Sequence, residues 1–121
     1  MFPGKRARSN RSIPDSTRSS LTQRLVTRQR ERWPQLRDLQ VRVRGHFAYV
    51  DGVMPDGELW PLFRLRYGGS AHYWGFAFYT ASSDSYQDSV LPTGAFGGTP
   101  EEALDCVCGL HLQDPSAWVT N

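Results

Sequence analysis

Hydrophobic and polar residues alternate along the middle of the chain. Over residues 39–50 the odd positions are mostly apolar and the even positions are mostly polar or basic. A period of two over this length predicts one long, half-buried strand, with a bend at Gly45. Glycine-containing turns follow it. They divide the next part of the chain into three further predicted strands, at residues 58–67, 71–80 and, as a short one, 86–91.

Helical patterns flank the strands. Residues 20–32 carry a thin apolar stripe and end before Trp33-Pro34, because a proline disfavours helix at the residue before it. Thr99-Pro100-Glu101-Glu102 combines an N-cap threonine, a proline at the first helical position and a capping-box glutamate, which predicts a second helix that Asp114-Pro115 ends. The predicted fold class is α+β, a small antiparallel sheet of three to four strands in the order α-β-β-β-(β)-α.

The first residues differ in composition from the rest. Residues 1–19 are rich in Arg, Ser and Pro without periodicity, which predicts a basic disordered arm before a single α+β domain at residues 20–121. The chain has no apolar run of spanning length, and its charged start is unlike a secretory signal. We therefore expect a cytoplasmic bacterial protein that does not engage a membrane.

Charge is distributed unevenly along the chain. Residues 1–45 contain twelve Lys or Arg against three acids, whereas residues 46–121 contain two Arg against nine acids. A basic front suggests a polyanionic partner, namely nucleic acid. The alternative is self-association of basic and acidic ends, which would give a homo-oligomer.

The strand pattern also predicts a binding surface. If the hairpin turns centre near Met54 and on Gly69, the even positions of the strands share one face. That face is predicted to be the nucleic-acid-binding site and holds Arg42, Arg44, His46, Arg64, Arg66, His72 and Trp74. The odd face, with small Gly75 and Ala77, is predicted to pack against the helices. Since side chains alternate between faces, a one-residue slip in register would scatter the cluster.

The chemistry of this predicted face favours a polyanion. Arginines in cross-strand pairs repel one another, here Arg42 with Arg66 and Arg44 with Arg64. Arginines and aromatic rings on an open sheet bind single-stranded nucleic acid through phosphate contacts and base stacking. The alternative is that nearby charges neutralise the cluster, with Asp84, Asp88, Glu58 or a helix as candidates.

No motif in the sequence indicates catalysis. A P-loop, a dinucleotide-binding glycine pattern and metal-spaced ligands are all missing, so we predict no catalytic residue, cofactor or metal. Cys106 and Cys108 lie two apart on a predicted helix and point to different faces, so they are expected to be reduced thiols packed as small apolar residues.

The stretch Gly97-Gly98-Thr99-Pro100-Glu101-Glu102-Ala103-Leu104 resembles the "G-x-T-x-E-E-A-L" helix opening of HicB-like antitoxin domains, which share the strand-rich start. The resemblance is confined to the C-terminal half and implies a toxin partner. The order of elements is similar to that of a double-stranded RNA-binding domain, but there the final helix opens with lysines and here with Glu101 and Glu102. The whole domain also resembles small actinobacterial proteins, from which no function follows.

The sequence is therefore compatible with three functions. The first is a non-enzymatic binding module that contacts nucleic acid through the arm and the arginine-rich face. The alternative is a protein-interaction module of antitoxin-like or inhibitor-like type that uses the acidic helix and exposed aromatic residues. An enzyme without an identifiable site is third. Nucleic-acid binding is expected to weaken steeply with salt.

Overall fold

A computed structural model of the protein describes residues 12–112. Two helices flank a set of strands, in agreement with the predicted α+β class. The elements are α1 (Asp15–Arg32), β1 (Asp38–Arg44), β2 (Phe47–Val53), β3 (Leu59–Tyr67), β4 (Trp74–Thr80), β5 (Ser85–Asp88), β6 (Gly97–Gly98) and α2 (Pro100–Leu112).

The strands form one antiparallel sheet. Its spatial order is β1-β2-β3-β4-β5, and β6 also pairs with β4. Residues 77–80 of β4 pair with β5, whereas Trp74 and Gly75 pair with Gly98 and Gly97 of β6. The outer edge of β4 is thus shared by two short strands, of which the sequence pattern predicted only β5.

The predicted single strand over residues 39–50 is wrong. The chain turns at Gly45-His46, so that β1 and β2 form a hairpin in which Arg44 is opposite Phe47. Gly45 has a φ of +62°, in the left-handed region that glycine enters most readily. Because paired residues share a face, even positions of β1 lie on the same side as odd positions of β2. The period of two is preserved in each strand but changes phase at the turn.

Both helices pack on one face of the sheet. Leu21 and Leu25 of α1 and Leu104 and Val107 of α2 are buried. They lie in one apolar cluster with buried side chains from four of the strands, namely Leu39, Ala48, Val50, Leu62, Phe63, Leu65, Tyr67, Trp74 and Phe76. The opposite face of the sheet carries neither helix.

The start of α1 lies earlier than predicted. Residues 15–19, which we assigned to the disordered arm, form its first turns, and the buried Ile13 donates its N–H to the carbonyl oxygen of Gly45 at 3.2 Å. Residues 12–19 therefore belong to the folded unit. The rest of the predicted arm and the predicted helix end at Asp114-Pro115 lie outside the described residues.

Ion pairs connect the two helices. The guanidinium of Arg24 donates to both carboxylate oxygens of Glu101 at 2.9 and 2.8 Å. One turn further along each helix, Arg28 donates to Asp105 at 2.6 Å, and Trp33 Nε1 donates to the same carboxylate at 2.9 Å. Residues four apart share a helix face, so the repeat forms a ladder. Part of the charge asymmetry of the sequence is thus neutralised within the chain.

The ladder shifts the titration of both acids. The hydrogen bonds from Arg24 hold the pKa of Glu101 below its ordinary value. Burial pushes the pKa of Asp105 upward, but the bonds from Arg28 and Trp33 and the nearby arginine charges outweigh it, so that this pKa is also lowered. Both carboxylates are therefore ionised at neutral pH.

Two further predictions for α2 concern its start and its thiols. Thr99 Oγ1 accepts the N–H of Glu102 at 3.1 Å, and Glu102 Oε1 accepts the N–H of Thr99 at 2.8 Å, which confirms the capping box. Cys106 and Cys108 are both free. Burial raises the pKa of Cys108 to about 12, so this thiol is protonated at neutral pH.

Within residues 12–112, neither helix has the length and hydropathy needed to cross a membrane.

A candidate nucleic-acid interface on the open face of the sheet

The four arginines of the predicted site lie on the face of the sheet that the helices leave uncovered. Arg42 is opposite Tyr49, which is in turn opposite Arg64. Arg44 is opposite Phe47, which is opposite Arg66. Cross-strand partners point to the same side of a sheet, so each row places an aromatic ring between two guanidinium groups. We call this surface the arginine face and define it by Arg42, Arg44, Phe47, Tyr49, Arg64, Arg66 and Tyr86.

The rings of the arginine face contact its cations. The Arg64 guanidinium carbon lies 4.5 Å from the Phe47 ring centroid and 5.7 Å from that of Tyr86. The Arg42 guanidinium carbon lies 5.5 Å from the Tyr49 centroid. All three distances fall within the range of cation–π attraction, about 6 Å. These contacts offset part of the repulsion between neighbouring arginines and hold their side chains over the strands.

Two carboxylates neutralise part of the cluster. Arg42 pairs with the buried carboxylate of Asp51 at 3.3 Å, and Arg64 pairs with Asp88 at 3.6 Å. Among the residues that the structure describes, no carboxylate forms an ion pair with Arg44 or Arg66. The predicted neutralisation is therefore correct for Asp88 only. Of the other two candidate acids, Asp84 accepts a hydrogen bond from the Tyr79 hydroxyl and Glu58 accepts one from Trp60 Nε1.

Trp74 and His72 do not lie on the arginine face. Trp74 is fully buried in the core, and its Nε1 donates to the Ala71 carbonyl oxygen at 3.0 Å. His72 is exposed beside α1, with its Nδ1 3.2 Å from Arg24 Nη1. The cause is the register of β3 and β4, in which Arg66 is opposite Gly75 rather than His72. A shift of three residues, an odd number, exchanges the faces of β4.

The same register shift places Gly75 and Ala77 on the open side, opposite Arg66 and Arg64, so the prediction that they pack against the helices is wrong. His46 lies in the β1–β2 turn at one end of the arginine face, with its ring centroid 4.2 Å from that of Phe47. The structure thus brings five predicted site residues together, Arg42, Arg44, His46, Arg64 and Arg66. It adds three aromatic residues that the sequence reasoning missed, Phe47, Tyr49 and Tyr86.

Tyr86 extends the aromatic surface from β2 towards the far edge of the sheet. Its ring centroid lies 5.3 Å from those of both Tyr49 and Tyr79. Burial raises the pKa of Tyr86, and the hydrogen bond to Asp84 raises that of Tyr79. Both phenols are neutral at physiological pH and add no negative charge that would repel a phosphate.

Metal binding has no visible basis in the described part of the chain. Within residues 12–112, no three His, Cys, Asp or Glu side chains come together as ligands for an ion. The arrangement on the arginine face instead offers guanidinium groups and flat rings. Such groups bind anions and planar ring systems.

Comparison with known proteins gives no independent guide to function. No protein-family model matches the sequence, and no curated protein or solved structure shows significant similarity to it. The resemblance of residues 97–104 to HicB-like antitoxins therefore stays a prediction. Function has to be inferred from the geometry of the arginine face.

Proposed function

We propose that the protein is a non-enzymatic module that binds single-stranded nucleic acid on the arginine face. The observation that carries this proposal is the alternation of cation and ring along two adjacent rows, Arg42–Tyr49–Arg64 and Arg44–Phe47–Arg66. Guanidinium groups contact phosphates, and aromatic rings stack on bases that are not paired; Phe47 and Tyr49 are half-buried and present part of their rings to solvent. A duplex keeps its bases stacked inside and cannot use the rings.

The charge balance of the surface supports the same ligand. Four guanidinium groups face two carboxylates, those of Asp51 and Asp88. Arg44 and Arg66 are both exposed and form no ion pair within residues 12–112. They lie two strands apart, which corresponds to about 10 Å. An extended phosphate backbone that crosses the strands can contact both.

The first described residues of the chain lie beside the β1–β2 turn, which borders this surface. Ile13 is hydrogen bonded to Gly45, in the turn that follows Arg44. Lys5, Arg6, Arg8 and Arg11 precede it closely in sequence. Basic segments bind phosphates without regard to sequence and release counterions. In this proposal they add affinity to the site, whereas the rings of the arginine face select unpaired bases.

A fluorescence-anisotropy titration tests the proposal. Labelled single-stranded DNA, single-stranded RNA and duplex are titrated with the full chain at two salt concentrations. The site variant is Arg44→Gln/Arg66→Gln. The matched control is Arg30→Gln/Arg37→Gln, which removes the same charge from α1 and from the segment before β1. Because each phosphate contact on a single strand contributes about −0.7 to the slope of log K against log salt, the site variant is expected to lose about 1.4 from that slope.

Two results would count against the proposal. Equal losses in the site and control variants would show that net charge alone drives binding. Equal affinity for single strand and duplex would remove the role of the rings. Loss confined to the site variant, with preference for single strands, supports the arginine face as the binding site.

A second candidate, the protein-interaction module, is favoured by a different observation. The start of β3 lines an apolar groove of about 350 Å³ with Leu59, Trp60 and Pro61, and Leu59 is 49% exposed. The acidic side chains of α2, in contrast, are engaged by Arg24 and Arg28 and are poorly placed to recruit a partner. Binding of a protein that resists salt and is lost in Leu59→Ser would support this candidate.

A further inference from the structure

A pocket lies at one end of the arginine face, between Arg66 of β3 and the residue that precedes β6, Phe96. It has a volume of about 250 Å³, and Arg66, Tyr73, Gly75 and Phe96 contribute to its wall. His46, in the β1–β2 turn, also lines it. The pocket is thus continuous with the row Arg44–Phe47–Arg66 through Arg66 itself.

Two aromatic rings at this pocket are exposed to solvent. Tyr73 is 55% exposed and Phe96 is 69% exposed, although large apolar side chains are usually buried. Within the described residues, neither ring makes an aromatic contact with the other or with a third ring. Both rings line the same pocket and are accessible to a planar ligand.

The pairing of β4 with β6 fixes the backbone that directly follows Tyr73 and Phe96. A Cβ at Gly97 would collide with the Trp74 carbonyl oxygen and lie 3.0 Å from two carbons of the Tyr73 ring, so this ring rests directly on the glycine backbone. The carbonyl oxygen of Phe96 accepts the N–H of Phe76 at 3.0 Å. Each ring thus belongs to a residue that directly precedes paired backbone.

The side chain of Arg66 lines the same pocket. A Cβ at Gly75 would lie 3.1 Å from Arg66 Nε and 3.3 Å from Nη2, which shows that the guanidinium lies across β4 where a glycine leaves room. A planar cation next to two exposed rings can donate hydrogen bonds to a phosphate or to the edge of a base.

We propose that the Tyr73–Phe96 pocket holds one unpaired base of the strand bound on the arginine face, with Arg66 contacting its phosphate or its edge. This inference rests on the proposed function and adds a base-binding subsite to it. The volume is below the range of about 300–1,000 Å³ for pockets that hold drug-sized ligands, which fits one planar ring system. A base inside a duplex cannot enter.

The test separates base contacts from phosphate contacts. A labelled oligothymidylate and an abasic deoxyribose-phosphate oligomer of the same length are titrated with the wild type, Tyr73→Ala, Phe96→Ala and Phe96→Leu. The control is Leu110→Ala, since Leu110 is similarly exposed, at 68%, but lies on α2. Circular dichroism checks the fold of each variant, and Phe96→Leu keeps an apolar side chain of similar size without the ring.

Loss of a stacked base is expected to weaken oligothymidylate binding about 5- to 150-fold in the ring variants. The abasic oligomer should bind all variants within about twofold, and Leu110→Ala should match the wild type on both probes. A parallel titration with oligouridylate shows whether the base comes from DNA or RNA.

Each other outcome has a defined meaning. If the wild type binds oligothymidylate through Arg44 and Arg66 but the ring variants bind as tightly, the pocket is overturned and the proposed function stands. If the ring variants weaken abasic binding equally, the pocket is again overturned, because the rings then act without a base. If the wild type binds neither oligomer at low salt, the proposed function fails and the pocket fails with it.

Discussion

The guanidinium carbon of Arg64 lies 4.5 Å from the centre of the Phe47 ring on the neighbouring strand. The two residues are diagonal neighbours, since Phe47 is directly opposite Arg66. Each ring in the middle of the arginine face is therefore surrounded by cations from both adjacent strands. In the proposed function, this surface binds a single nucleic-acid strand, which presents negative charge and flat rings together.

Replacing the central ring of one row should weaken binding without opening the core. Tyr49→Leu keeps an apolar side chain but loses the ring between Arg42 and Arg64. We expect the affinity for single-stranded oligonucleotides to fall about 5-fold or more, because stacking on one ring contributes about 1 kcal/mol or more. Anisotropy titration measures this effect. Unchanged affinity would show that Tyr49 does not contact a base.

Gly75→Ala should separate binding from stability. The new methyl group would lie 3.1 Å from Arg66 Nε, so that the guanidinium has to shift by a few tenths of an ångström, and oligonucleotide affinity is expected to fall. Stability should rise by up to about 1 kcal/mol, because alanine loses less conformational freedom than glycine in a strand. The control is Gly109→Ala on α2, where a Cβ meets nothing within 4 Å. The control should gain stability and keep its affinity, and parallel losses of affinity in both variants would contradict this account.

The helix ladder predicts acid sensitivity. The folded-state pKa values of Glu101 and Asp105 are lowered, so both carboxylates stabilise the fold above their unfolded-state values, about 4.3 and 3.9. That contribution is lost as the pH falls through the folded-state values. The free energy of unfolding, measured with urea, should therefore decrease below about pH 4.

Removing one carboxylate of the ladder checks this assignment. Asp105→Asn weakens the bonds from Arg28 and Trp33 and should cost about 1 to 3 kcal/mol at pH 7. Its stability should also depend less steeply on pH in the acid range. If the variant and the wild type lose stability in parallel below pH 4, another group is responsible.

The burial of Trp74 predicts a structural role in place of the binding role expected from the sequence. Trp74→Ala should lower the free energy of unfolding by about 3 to 5 kcal/mol, because it leaves a cavity in the core. Trp74→Phe, which remains folded more readily, should bind oligonucleotides as tightly as the wild type. A selective loss of affinity in Trp74→Phe would show that Trp74 contributes to oligonucleotide binding.

Local signals in the sequence predicted the presence of both helices. The capping box at Thr99 and Glu102 depends on residues three apart and is visible in the sequence itself. The helix before the strands was found as well, but its start was placed too late. Residues 15–19 carry no apolar stripe, and the hydrogen bond of the neighbouring Ile13 to Gly45 is a tertiary contact that the local sequence does not reveal.

Register was the part that sequence reasoning did not predict. The turn at Gly45-His46 changes the phase of alternation, and the bulge between Val50 and Asp51 shifts the pairing of β2 with β3. The arginines were nevertheless placed on one face, because β1 and β3 both present even positions there. Trp74 was misplaced because the position of the β3–β4 turn depends on core packing, which local residue preferences do not encode.

Mapping of the bound strand by NMR tests the central claim most directly. Isotope-labelled protein is titrated with a short single-stranded oligonucleotide, and the shifts of backbone amide and arginine side-chain signals are followed. The arginine face predicts the largest changes at β1, β2 and β3, above all at Arg44, Phe47, Tyr49 and Arg66, with small changes along α1 and α2. Changes confined to the helices or to residues 1–11, or no changes at low salt, would contradict the assignment of the arginine face as the binding site.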